Sequence, residues 1–164
     1  MSELTNLHEG TVVAIDLEDS RYAVGVLARV ETENKKRSYG IFVYFFGPFS
    51  SIPISIFNED DLLSRKPLAR LKTSALDIYN GNWKIVGSVK PWNRHSWIFP
   101  EFYETNPLTG ESYILRLDEA DQITPISRRK ITSVDNLDEN ILYGSEAARK
   151  KVLAISSGLQ SLNL

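Results

Sequence analysis

The chain has two histidines, His8 and His95, and no cysteine, which limits the proton-transfer and metal chemistry it can support. Metal sites built without thiolates usually combine two or three histidines at helical or loop spacing with a carboxylate. His8 lies before the first strand-like segment and His95 lies in Trp92-Asn93-Arg94-His95-Ser96-Trp97, so they share no such spacing. Ser96 beside His95 is not a nucleophile–base pair, because a triad forms through space with a third, orienting group. No Gly-x-Ser-x-Gly elbow occurs, and the nine glycines form neither dinucleotide nor phosphate-loop spacing. Carboxylate pairs for acid–base work meet only in the fold, and among 21 acidic residues proximity alone says little. The expectation is a protein with no catalytic residue, no metal and no cofactor.

Recognition chemistry is better represented. Trp92, Trp97, Phe99, Phe102 and Tyr103 crowd a segment that also carries Arg94, His95, Glu101 and Glu104. Tryptophan and tyrosine interleaved with charge describe a protein-binding surface, where such rings anchor contacts. They equally describe a core strand with a wet edge. Acidic clusters stand at Glu59-Asp60-Asp61 and at Asp118-Glu119 with Asp121. These read as solvated turns or as groups that steer a basic partner. The candidate partner-binding set is therefore Trp92, Trp97, Tyr103, Glu101, Glu104, Glu59, Asp60 and Asp61. Two basic clusters, Lys35-Lys36-Arg37 and Arg128-Arg129-Lys130, read as solvated loops. A nucleic-acid surface normally goes with a domain pI above about 9, whereas here it is 5.7. Nucleic acid is an unexpected partner.

The elements that must hold these groups are mostly strands. Thr11 to Leu17 is apolar and β-branched, and Tyr22 to Val30 alternates with a period of two, marking a strand with one face in a core. Glu18-Asp19-Ser20 is the turn between them. Tyr39 to Phe46 has no polar face and reads as the central strand, ended by Gly47-Pro48. Over residues 58–82 two patterns compete. Leu68, Leu71, Ala75 and Ile78 recur at helical spacing, while Thr73 to Tyr79 followed by Asn80-Gly81 fits a strand entering a hairpin with Trp83 to Val89. The combined expectation is a helical turn first and a strand from about Ser74. Trp83 reads as core. Pro100 demotes Trp97 to Tyr103 to an edge strand or a bulge, and Asn106-Pro107 with Thr109-Gly110 turns the chain into Ser112 to Asp118. The period then becomes helical, with Ala148, Val152, Ile155 and Leu159 as the stripe, Ser145 as N-cap and Gly158 as the stop. Gln160 to Leu164 reads as a loose tail.

The fold class that results is α+β and mainly β: a small curved sheet or barrel-like antiparallel core with a C-terminal helix. At 164 residues with 42% hydrophobic content and a net charge of -2, residues 1–164 form one domain that needs no disulfide to fold. No apolar run approaches the ~20 residues of a membrane span, and the first residues show no signal-peptide pattern. A cytoplasmic protein without membrane contact is expected.

The opening Glu9-Gly10-Thr11-Val12-Val13-Ala14-Ile15-Asp16-Leu17, followed by Arg21-Tyr22-Ala23-Val24-Gly25-Val26-Leu27, resembles the start of the immunity protein 26 family of bacterial polymorphic toxin systems. An apolar strand like Gly40 to Phe46 follows in that family. A Gly-x-Trp-x-apolar-apolar-Gly element comes next, matched here by Gly81-Asn82-Trp83-Lys84-Ile85-Val86-Gly87. The resemblance covers about Glu9 to Tyr103. It implies a cytoplasmic antitoxin that binds and occludes a cognate toxin domain, a nuclease being one class suited to acidic and aromatic groups. No catalytic residue carries over; Gly25 is expected to permit a close approach or a bulge and Trp83 to fill the core. Two other readings stand beside it. One is a small-barrel module recognising a peptide or nucleic acid through Trp92 to Tyr103, and the other is a hydrolase using carboxylates or His95.

Overall fold

A computed structural model describes residues 7–31, 40–52 and 55–162. Two antiparallel ladders dominate. Strands β1 (Thr11–Leu17), β2 (Arg21–Val30) and β3 (Gly40–Phe49) form a meander, which β5 (Ala69–Ser74) continues beyond β3. On the other side of β1 lies β6 (Lys84–Lys90), flanked by β4 (Ser55–Asn58). With β11 (Leu142–Tyr143) the order of this seven-stranded sheet is β11-β5-β3-β2-β1-β6-β4. A second sheet has the order β10-β7-β8-β9, from β7 (Phe102–Thr105), β8 (Ser112–Leu117), β9 (Pro125–Ile131) and β10 (Asp138–Glu139). Helices α1 (Glu59–Leu63), α2 (Leu76–Tyr79) and α3 (Ser145–Ser156) complete the described elements.

The mainly β, α+β expectation holds, but the sheets stay open. The large sheet's edges, β11 and β4, are two and four residues long and do not pair with each other, so no barrel closes. Pairing is also mixed: β4·β6, β11·β5 and β10·β7 are parallel.

The large sheet is covered on both faces, which explains its unbroken apolar strands. Val24, Val26, Phe42, Tyr44 and Phe46 point to one core with Trp97, Phe102, Leu115 and Leu117, beneath the small sheet. Ala23, Leu27, Val43, Phe45 and Trp83 point to the other, closed by Ile78, Ala148 and Val152 from the helices. The one-faced reading of β2 is thus corrected, since both of its faces are buried. Gly25 sits where β2 is most crowded: a Cβ there would lie 2.9 Å from Val43 Cγ1 and 3.0 Å from Val13 Cγ2. The expected close approach is present.

Four local expectations are revised. The strand β3 runs through Gly47-Pro48 to Phe49, because the ladder shifts register between Tyr22 and Val24 and a bulge accommodates proline. Between residues 58 and 82 the strand is Ala69–Ser74 and helical turns flank it, while Asn80 caps α2 instead of opening a hairpin. Residues 97–101 form no strand; pairing begins at Phe102, after Pro100. Arg128-Arg129-Lys130 lies in β9, not in a loop, and Lys35-Lys36-Arg37 falls outside the described residues.

At the C-terminus Gly144 is the N-cap of α3 and Ser145 is a buried helical residue; the helix ends at Ser156, before Gly158. Its buried stripe is Ser145, Ala148, Val152 and Ser156, with Ile155 and Leu159 exposed. The tail is docked as far as Leu162, whose N–H donates to the Pro48 carbonyl at 2.7 Å.

Candidate partner-binding site

Trp97 is the centre of the aromatic segment, and it is fully buried. The 3₁₀ turn Arg94–Ser96, capped by the Asn93 side chain on the His95 N–H at 3.1 Å, drives the indole inward. It meets Tyr44 and Phe46 edge-on at 5.1 and 6.0 Å and stacks against Trp92 at 5.4 Å. The indole N–H donates to Glu59 Oε1 at 2.9 Å, and the same oxygen accepts the Asn93 N–H at 3.0 Å. Glu59 is therefore a buried acceptor that ties α1 to this turn, since a buried donor or acceptor left unmatched costs about 1–3 kcal/mol.

Trp92 lies half-buried over Gly10, whose hypothetical Cβ would be 3.1 Å from the indole, and Gly10 has φ +87. Only glycine meets both demands at no cost. The Tyr44 hydroxyl donates to the Ile98 carbonyl at 2.6 Å, fixing the chain beyond Trp97. Of the rings from Trp92 to Tyr103, Trp97 and Phe102 are thus spent on the core, with Trp92 and Phe99 packed against it.

The eight candidate residues do not form one patch. Trp92, Trp97 and Glu59 meet in the buried knot, and Trp97 and Glu59 offer no surface to a docking protein. Asp60 and Asp61 are exposed on α1. Glu101 is exposed beside a cleft of about 380 Å³ lined by Phe99, Arg116, Glu119 and Ile126. Tyr103 and Glu104 are half-buried neighbours on β7 that face opposite sides of the small sheet. Tyr103 shares a cross-strand row with Ile114 and Arg129, and Glu104 shares one with Tyr113 and Lys130.

Charges outside the eight candidate residues hold these pieces in place. Glu119 accepts from Arg29 Nε at 2.7 Å and pairs with Arg94 at 2.8 Å, while Arg94 also reaches Glu9 at 2.9 Å. This chain of ions joins β2, the loop after β8 and the 3₁₀ turn. On the face of β5 turned towards the small sheet, Arg70 bonds Asp138 at 2.6 Å. Lys72 there is buried, donating to Asn140 Oδ1 and to the Gln122 carbonyl at 3.3 Å, with its ammonium 4.8 Å from the Phe102 ring centroid. Burial pushes the Lys72 ammonium down to about 8, against the opposing pull of Glu104. At the rim, Lys130 and the Tyr113 hydroxyl hold Glu111 below the usual carboxylate range.

His8 and His95 are exposed, and no group of three or more His, Asp or Glu side chains that could hold a metal occurs among the described residues. No helix of the described residues is long and apolar enough to cross a membrane.

The profile of the immunity protein 26 family matches residues 8–114, from just before β1 to the middle of β8. The chain belongs to the immunity protein 26 family. The match spans the large sheet apart from β11, and it includes the Gly10–Trp92 contact and the Trp97–Glu59 knot. No curated protein and no solved structure matches the chain. Strands β9 to β11 and helix α3 lie beyond the matched residues.

Proposed function

We propose that this immunity protein neutralises a cognate toxin domain by binding it and occluding its working surface, without catalysis of its own. The family match over residues 8–114 carries the reading. The architecture supports it: the interior is committed to packing, leaving recognition to exposed strands and loops on a fixed scaffold. Of the candidate residues, Glu101, Asp60 and Asp61 are exposed and Tyr103, Glu104 and Trp92 partly exposed, which leaves these six able to contact a partner.

A growth assay tests the reading. The C-terminal domain encoded by the adjacent upstream gene is induced with and without this chain in the same cells. Relief of toxicity is the expected outcome. A toxic neighbour whose effect persists at full expression of this folded protein overturns the reading for that pair.

A further inference from the structure

We infer that the free edge of β9 is the docking strand of this protein and that it takes an extended, acidic segment of the toxin domain. The inference rests on the neutralising role proposed above and adds to it the place and chemistry of contact.

An unpaired edge presents a row of N–H and C=O groups; proteins blunt such edges with proline, bulges and charged side chains, all present on β9, or by keeping them very short. Three edges here follow that rule: β10 and β11 have two residues each and β4 has four. By contrast, β9 has seven residues, about 23 Å of ladder at 3.3 Å per residue. It pairs with β8 alone, and every position from Pro125 to Lys130 is exposed. The one irregularity, between Arg116 and Leu117 of β8, leaves Ile126 as the extra residue at 60% exposure beside the Glu101 cleft. From Ser127 to Ile131 the register with β8 is unbroken.

Charge chooses the occupant. Arg128, Arg129 and Lys130 stand in succession along this edge. Arg128 lies 3.7 Å over the Tyr113 ring and Lys130 bonds Glu111 at 2.7 Å, so both are oriented from within. Arg129 has no partner among the described residues, nor has Arg116, and both sit on the outer face in neighbouring rows with Tyr103 and Ile114. A second copy laid against β9 would bring the two cationic triplets together, and like charges facing across strands destabilise a ladder. A segment carrying aspartate or glutamate would instead gain main-chain bonds for affinity and opposite charge for speed and register. The strand also lies outside the residues shared with the family profile, as befits a surface that must differ between cognate pairs.

The test measures binding of the upstream-encoded toxin domain to the full chain and to R129E and R116E/R129E. It is run at about 50 and about 300 mM salt, together with amide exchange. Neither arginine has an internal partner, so both variants keep the wild-type melting temperature. Expected are a loss of affinity of about tenfold or more for R129E, mostly through slower association, and a weaker salt dependence. Amides of residues 127–131 gain protection when the toxin domain is added. Toxin binding that survives R116E/R129E within about twofold, without new protection over 125–131, overturns the edge assignment and leaves the neutralising role intact. Protection over 125–131 that grows with protein concentration in the absence of toxin places a second copy there and equally overturns it. No binding by the wild-type chain removes the proposed role, and the edge assignment falls with it.

Discussion

Lys72 gives a stability signature that can be worked out from the structure. Its ammonium is buried between β5 and the small sheet, which brings its pKa from 10.5 to about 8. The folded state thus holds this proton less tightly than the unfolded chain. Stability is at its lowest below the folded pKa and rises as pH climbs towards the unfolded value. At ~1.4 kcal/mol per unit the full gap is worth about 3 kcal/mol, and integration from about pH 7 to about pH 9.5 gives about 2 kcal/mol. For a chain of this length that corresponds to about 4–8 °C in Tm. The comparison is between wild type and K72M, unfolded by urea at the two pH values. Methionine keeps the apolar stem and removes the titration. Expected is a rise of about 2 kcal/mol in wild-type stability relative to K72M on going to the higher pH. A difference that stays constant within about 0.5 kcal/mol refutes the buried-ammonium account.

Three further substitutions probe the scaffold. G25A places a methyl group within 3.0 Å of Val13 and Val43, and a loss of about 1–3 kcal/mol is expected from the urea midpoint. W97A empties a fully buried site and leaves the Glu59 carboxylate without its indole donor. It is expected to lower stability by about 3–5 kcal/mol, so any loss of toxin binding in W97A must be compared with its melting curve. E119Q weakens the ion chain through which Arg29, itself 4% exposed, and Arg94 are held. About 1–3 kcal/mol is expected in thermal unfolding, most of it insensitive to salt because Arg29 is buried. If residues 1–164 act as one cooperative unit, as we propose, each variant shows a single transition by both tryptophan fluorescence and far-ultraviolet dichroism.

The local pattern of the chain determined its β-rich class, the β1–β2 turn, the β7–β8 hairpin, the C-terminal helix and the family membership. Period and turn chemistry are properties of neighbouring residues and survive without a partner. It determined less where a segment's state depends on what covers it. Ala69 to Ser74 became a strand because β3 offers Gly40 to Phe45 as an edge, and this pairing overrode the helical spacing of Leu68, Leu71, Ala75 and Ile78. Residues 97–101 carry strand-like rings but pack as loop, since Trp97 turns inward to Glu59, 38 positions away in sequence. The same long-range contact separated the eight candidate residues into core and surface, a division that amphipathic tryptophan and an acidic triplet cannot announce locally. Only the tertiary structure placed Arg128, Arg129 and Lys130 on an open strand, because whether a strand is an edge depends on the order of the sheet and not on the residues within it.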